Sequence, residues 1–396
     1  MESYLTAEVS AEAVSHNLRL LRQRIGPRPR MCAVVKADCY GHGVETLLPV
    51  IAEHADMLAV ATPEEAINLR RLRYYRPIIT FFSACAYNDG NDRLEALAEL
   101  VANNVTITVV AIDEVAFVAA AARRAGGIAN IHVKVDSGMG RSGVMPEGVQ
   151  ALVDAIQADG HLFLAGMYTH FATADEIDKT YALQQLNTFM EAATSCGIVR
   201  GLTLHAANSA AIIDLPQSHL DMVRPGIAIY GYQPSDDMHT SPALKPAMRV
   251  WGRLMQVKTV PAGSKVGYGL THTFDRDARV GLVPIGYGDG YPRSLSNRAT
   301  MRIRGRNVLV CGRVSMDQCI IDLSSLPDAQ VGDQVEIISA DPMDQHSVEE
   351  LARAAGMIPY ELTCRLGRRV KRQLVPTFET IRPARLVARS ASPVSV

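Results

Sequence analysis

The sequence predicts an α/β protein in which an N-terminal (β/α)8 TIM-type barrel is followed by a mainly β C-terminal domain. Three observations predict it. Up to about residue 240, short apolar runs alternate with helical patterns eight times. At 234–246, "PSDDMHTSPALKP" concentrates Pro, Ser and Asp as linkers do. Beyond it, short β-rich runs are broken by Gly and Asp. Eight strand–helix repeats over such a length mark a barrel, although an open doubly wound sheet also alternates and stays the alternative.

The elements follow in order. "VSAEAVSHNLRLLRQRIG" reads as a helix, with Ser10 as candidate N-cap and Gly26 just past its end. Strands are expected at "MCAVVK", "MLAVAT", "PIITFFS", "VTITVVA", "IHVKVD", "FLAGMYTHF", "LTLHAANS" and "MVRPGIAIYG". Between them, "TPEEAINLRRLR" places Thr62 and Glu65 at capping-box spacing, and "DEVAFVAAAARRAGG" ends on a glycine pair. After the linker, β-rich runs occur at "MRVWGRLMQVKTV", "KVGYG", "ARVGLVPIGYGDG", "MRIRGRNVLVCGRVSMDQCIIDLSS" and "QVEIIS". One helix is expected at "SVEELARAAG", from its Ser–Glu box and closing glycine. The expected domains are 1–240, whose first residues can pair with the second domain, and 241–385, with a poorly ordered tail at 386–396.

The chain's 396 residues exceed what a single core usually organises, about 250–300. A net charge of −1 gives no broad polyanion-binding surface, so no nucleic-acid partner is expected. No run resembles a membrane span, and "MESYLTAEVS" lacks signal-peptide layout. Seven scattered cysteines without C-x-x-C argue against a disulfide framework or structural zinc, and a cytoplasmic location fits best.

Barrel chemistry sits at the C-terminal strand ends. There the first strand carries Lys36, with Tyr40 close behind, and the fifth carries Lys134, Asp136 and Arg141. The sixth ends at His170, the seventh at His205, Asn208 and Ser209, and the eighth begins with Arg224. No Asp/Glu/His cluster has convincing metal spacing, and neither a G-x-S-x-G elbow nor a Walker loop is present. A lysine at such a strand end suits Schiff-base chemistry, because burial lowers its pKa and frees the amine. Glycines and a hydroxyl, at Ser209 and "RPGI", can bring N–H groups against a phosphate. A reactive lysine with a phosphate cradle is what pyridoxal 5′-phosphate (PLP) requires.

Eight motifs make the pattern specific: "VVKADCYGHG", "KVDSGMGRSG", "GMYTHFATADE", "HAANSAA", "VRPGIAIYG", "VGYGLTHTF", "PIGYGDGYPR" and "GRVSMDQ". Together, in this order and reaching to about residue 375, they resemble the alanine racemase family. The resemblance implies PLP-dependent interconversion of L- and D-alanine, supplying D-alanine for peptidoglycan or degrading it. It also implies a head-to-tail homodimer in which each active site is completed by the other subunit.

Carried over by motif, Lys36 holds PLP and serves as the base on the D-alanine face, while Tyr268 of the other subunit serves the L-alanine face. A phenol titrates near about 10, so Tyr268 needs its neighbours, and His170 and Arg224 are the implied hydrogen-bond chain. The resemblance sets Arg224 against the pyridine nitrogen. A permanent cation there disfavours protonation and suppresses transamination. Tyr40, Ser209, Gly226 and Ile227 hold the phosphate. Arg141 and the backbone of Met316 hold the substrate carboxylate. Lys134 matches a lysine carbamylated in many members, and Tyr287, Arg293, Arg313 and Asp317 match residues of the substrate entrance.

Three residues depart from the family's usual form: Cys39 stands for alanine, Ser315 for a frequent cysteine, and Arg368 for a gating tyrosine. The last keeps open a serine or broad-specificity racemase. A PLP-binding homeostasis protein, which would resemble only the barrel half, is the non-enzymatic alternative.

Overall fold

A computed structural model describes residues 4–84, 91–197 and 201–378. The expected tail at 386–396 and Cys85 lie outside the described residues. The chain divides into two compact units: Ala11–Ala247, and the residues up to Ser10 together with those from Met248 onward.

The chain opens with strand β1 (Leu5–Ser10), so Val9 belongs to a strand, while helix α1 (Ala11–Ile25) starts directly after Ser10, which stands at the expected N-cap position. Tertiary pairing decides this. Val9 is buried and lies opposite Met248 on one side and Leu374 on the other. Gly26 follows α1 at φ +73°, as expected of a helix-ending glycine.

The first unit is built on β2 (Arg30–Val34), α2 (Val44–His54), β3 (Met57–Val60), α3 (Pro63–Arg71), β4 (Ile78–Ser83), α4 (Asn91–Ala102), β5 (Val105–Val109), α5 (Ile112–Ala125), β6 (Ala129–Lys134), α6 (Val149–Gln157), β7 (Leu162–Tyr168), α7 (Thr180–Ser195), β8 (Thr203–His205), α8 (Ser209–Asp214) and β9 (Met222–Val223). The eight strands β2 to β9 form a closed parallel barrel. Pairing of β2 with β9, Arg30 opposite Met222 and Met31 opposite Val223, closes it and excludes the open sheet.

Strands covered on both faces read as continuous apolar runs, and Leu58, Ile79, Ile107 and Val133 are all fully buried. Each such side chain contributes about 1.5–3 kcal/mol. The expected eighth strand is much shorter than its apolar run. After Val223 the chain passes Pro225 and turns into a 3-10 helix, Ile227–Tyr230, whose N-terminal Gly226 amide bonds to Ser209 Oγ. Arg224 therefore follows the last strand instead of beginning it.

The second unit contains β10 (Met248–Arg253), β11 (Gln256–Val260), β12 (Lys265–Val266), β13 (His272–Thr273), β14 (Ala278–Val283), β15 (Thr300–Ile303), β16 (Arg306–Cys311), β17 (Cys319–Asp322), β18 (Gln334–Ile338), α9 (Val348–Ala355), α10 (Pro359–Cys364) and β19 (Lys371–Val375). Nine of its strands form one sheet, ordered β11-β14-β17-β16-β15-β18-β10-β1-β19. The run "MRVWGRLMQVKTV" breaks into β10 and β11 where Leu254 and Met255 donate to Asp333 and Leu282 carbonyls. Helix α9 has the expected Ser347 cap and a closing Gly356 at φ +70°.

Candidate active site

Lys36 follows β2 and opens an unusual turn. Ala37, Asp38, Cys39 and Tyr40 have φ of 51°, 54°, 55° and 53°, a left-handed turn of four consecutive non-glycine residues. Left-handed backbone costs about 1–2 kcal/mol per such residue, so its surroundings must over-determine it. They do so at several points. Asp38 Oδ1 accepts the Val44 amide at 2.7 Å, and Glu65 Oε1 accepts the Ala37 amide at 2.7 Å. Buried His42 donates from Nδ1 towards the carbonyls of Cys39 and Tyr40, at 3.0 and 3.1 Å. Burial pushes the Cys39 thiol well up, so it packs rather than reacts.

Tyr40 ends this turn beside Gly226: a Cβ at Gly226 would fall 2.5 Å from the Tyr40 hydroxyl. Ser209 Oγ accepts the amides of Gly226 at 2.8 Å and Ala228 at 3.4 Å. A hydroxyl that accepts twice has only its proton left to give, and no described residue takes it. Tyr40, Ser209 and the glycine backbone thus make a donor-rich cradle that a side chain on Gly226 would fill. It fits an anionic phosphate, as PLP would bring.

Arg224 is buried and held through both terminal nitrogens. Its NH1 donates to His205 Nδ1 at 2.9 Å, and its NH2 to the carbonyls of Thr169 at 2.7 Å and Ala206 at 3.0 Å, with His170 Nδ1 at 3.4 Å. Arginine only donates, so His205 Nδ1 must accept, which leaves the proton on Nε2. That nitrogen lies 2.8 Å from His132 Nδ1, which is then an acceptor too. Burial, followed by the Arg224 charge, holds His170 and His205 well below the usual histidine range. Burial, with Arg30 and Arg224, brings His132 to about 3. All three stay neutral, and Arg224 keeps the charge. The Tyr168 ring lies under the guanidinium at 5.2 Å and stacks on His205 at 4.8 Å. Its hydroxyl donates to Thr108 Oγ1, whose own proton goes to the Thr80 carbonyl.

Lys134 ends β6 in the same cationic field. Burial, then Arg141, Arg224 and Lys36, pull its amine down to about 8, opposed by Asp136. Burial pushes the Asp136 carboxyl up, but amide bonds from the Gly138–Arg141 loop outweigh it and hold it low. That carboxylate thereby folds the loop that carries Arg141. Gly143 is obligatory there: at φ +141° its Cβ would meet the Asp136 amide at 2.4 Å.

Lys36, Tyr40, Lys134, Arg141, His170, Ser209, Arg224, Gly226 and Ile227 thus belong to one end of the barrel unit. The other unit gathers a separate set. The Tyr268–Leu270 turn packs Gly269 against the Arg313 guanidinium. The Tyr287 and Gly288 amides donate to Ser315 and Met316 carbonyls, at 3.0 and 2.8 Å. Ser296, capping the turn that starts at Arg293, accepts the Val314 amide. Arg369 bridges Asp289 at 2.9 Å and Asp317 at 2.6 Å, whereas Arg368 is exposed with no described partner. Tyr268, Leu270, Met316 and Tyr287 are 71, 58, 54 and 45% exposed.

Sequence reasoning missed His132 and Tyr168, and read Glu65 only as a helix cap. His132 stands two residues before Lys134 on one strand, hence on the same face, and that spacing was the available signal. Elsewhere, Glu336, Asp344 and His346 have metal-ligand identities, but Arg302 pairs with both carboxylates and already supplies the cation.

Fold and site define a barrel protein with amines, a pinned arginine and an anion cradle at its strand ends, the equipment of a cofactor-dependent enzyme acting on small anions. Residues 9–234 match the sequence profile of the alanine racemase N-terminal domain, and residues 247–374 that of the C-terminal domain. The chain belongs to the alanine racemase family. It is 39% identical to an alanine racemase of Desulfovibrio desulfuricans, over 93% of this chain and 97% of that one. It is 40% identical to one of Desulforamulus reducens, over 94% and 99%. The crystal structure of alanine racemase from D-cycloserine-producing Streptomyces lavendulae aligns with a TM-score of 0.87 at 36% identity, over 95% of this chain and 98% of that one.

Proposed function

We propose that this protein racemises alanine, using PLP held by Lys36 and a two-base exchange of the Cα proton. The observation that carries the reading is that Lys36 shares one turn with Tyr40, whose hydroxyl meets Gly226, itself bonded to Ser209. PLP, when bound, supplies a sink for the charge left on Cα as its proton departs.

The rest is done by the chain. Tyr40, Ser209, Gly226 and Ile227 hold the phosphate. Arg224, fixed by His205 and two carbonyls, is the cation that would face the ring nitrogen and disfavour its protonation. Arg141 and the Met316 amide of a second copy would hold the substrate carboxylate. The Lys36 amine takes or returns the proton on one face, and Tyr268 of a second copy does so on the other. His170, whose Nδ1 faces Arg224, carries its proton on Nε2 and can steady that phenol. Tyr287, Arg293, Arg313 and Asp317 line the approach.

A second copy is supported by the exposure of Tyr268, Leu270, Met316 and Tyr287, large apolar side chains that a monomer would leave in water. Lys134, whose amine is half neutral near pH 8 among cations, is suited to carbamylation. Its nitrogen adds to CO2 and releases a proton, and the resulting anion would orient Arg141. The D-alanine formed would serve peptidoglycan. Six described cysteines are unbridged, and no described helix is long and apolar enough to cross a membrane, in keeping with a cytoplasmic enzyme.

Arg368 bears on substrate range. An arginine without a described partner replaces a tyrosine expected to gate the entrance, which favours testing serine beside alanine. The match of residues 247–374 to the C-terminal domain speaks against a PLP-carrier role.

The test is direct. Protein supplied with PLP should turn yellow, bleach on borohydride with the label on Lys36, and convert either alanine enantiomer to the mixture. A protein that stays colourless and unlabelled overturns the proposal.

A further inference from the structure

We propose that Glu65 is a positioning residue for Lys36, a clamp that holds the left-handed turn carrying the lysine against the start of helix α3. The inference rests on the PLP reading for its purpose and on geometry for its existence.

The Glu65 carboxylate makes contacts on two sides. Oε1 accepts the Ala37 amide at 2.7 Å, which is the N–H of the very peptide that follows Lys36. Oε2 accepts the Ala61 amide at 2.7 Å and the Thr62 amide at 3.3 Å, at the junction of β3 with α3. A capping box needs only the bond back to the Thr62 amide, with Thr62 Oγ1 accepting the Glu65 amide in return, here at 3.3 Å. The Ala37 bond is extra, the shorter of the two, and spans to a different segment.

That segment is strained. Four consecutive left-handed residues between Lys36 and Gly41 have no intrinsic reason to stay so. Asp38 ties the far end of the turn to Val44, His42 ties its middle, and Glu65 takes the Ala37 amide next to Lys36. The chemistry also requires a carboxylate. All three groups facing Glu65 are N–H donors, so an amide in its place would turn one NH2 group towards a donor. Glu65→Gln, usually a mild change, should here release either Ala37 or the helix start.

Two readouts test this, with Thr62→Ala as comparison, since it weakens the same cap without touching Ala37. In apoprotein, amide exchange in the 36–43 segment should quicken about tenfold or more in E65Q and stay near wild type in T62A. The PLP dissociation constant, followed by absorbance, should rise about tenfold or more in E65Q and less than about threefold in T62A. If E65Q does not fold, Glu65→Asp, which keeps the charge but is one methylene shorter, takes its place in both measurements. Unchanged exchange in the segment, or equal loss of PLP affinity in both variants, overturns the clamp. Wild-type protein that binds no PLP would overturn the functional reading, while the exchange measurement would still decide whether the clamp exists.

Discussion

The two sets of site residues are opposites in environment. In the barrel unit Arg224, His205, His132 and Lys134 are buried: Arg224 is held by both terminal nitrogens, His205 and His132 have determined tautomers, and Lys134 is pulled to about 8, while Lys36 and His170 are half-buried and Arg141 is exposed. Those of the β unit stand on loops in water, with Tyr268 the most exposed at 71%. The barrel end is a preorganised half-site whose groups are already tuned by desolvation. The β unit leaves its candidate groups in water. Building the costly, charged half inside one core and leaving the other half on loops lets each unit fold without burying an uncompensated charge.

Substitutions can break this comparison. The largest effect is expected for Lys36→Ala, which should lose about 10³-fold or more in turnover and all borohydride labelling, because the group that holds the cofactor and moves a proton is gone. Next, Tyr268→Phe should cost about 10²–10⁴-fold in kcat while shifting stability by less than about 0.5 kcal/mol, as befits an exposed general acid–base group. Urea unfolding and alanine kinetics on the same preparation check both halves of that statement. A Tyr268→Phe protein that is active but unstable would reverse the assignment.

The barrel half should reveal itself through pH. His132 is held near 3 when folded, against about 6.5 when unfolded. Between those values the unfolded chain binds the extra proton, so stability falls as pH drops below about 6.5, by about 1.4 kcal/mol per pH unit for this group. His170 and His205 are shifted in the same direction and add to the slope. His132→Gln should flatten the slope of unfolding free energy between pH 7 and 5 by about one proton. An unchanged slope would mean that His132 titrates freely. The smallest effect is expected for Arg368→Tyr. It should move the ratio of kcat/KM for alanine over serine by about tenfold or less, the scale of a pocket-edge contact.

Much of this was legible before any coordinates. The β/α alternation, the linker texture and the caps at Thr62 and Ser347 are local signals, and the structure follows them closely. Lys36, His170 and Arg224 stood out because they fall at the strand ends where a barrel places its chemistry. Legibility failed where distant segments decide. Val9 opens a helical-looking run but pairs with strands from much later in the chain. "MVRPGIAIYG" looks like a strand, but its second half turns so that Gly226 can meet Ser209 and Tyr40.

The sequence by itself determined the element types, the two-part layout and the chemical kinds of residue at each strand end, because periodicity, capping and composition act over a few neighbouring residues. Only the tertiary structure decided that the alternation closes as a barrel, through the short β2–β9 pairing. Only it decided which histidine nitrogens carry protons, since Arg224 imposes that from another strand. Only it showed that four residues after Lys36 run left-handed under the hold of Glu65. Such features rest on hydrogen bonds between segments far apart in the chain, where a local pattern carries no information.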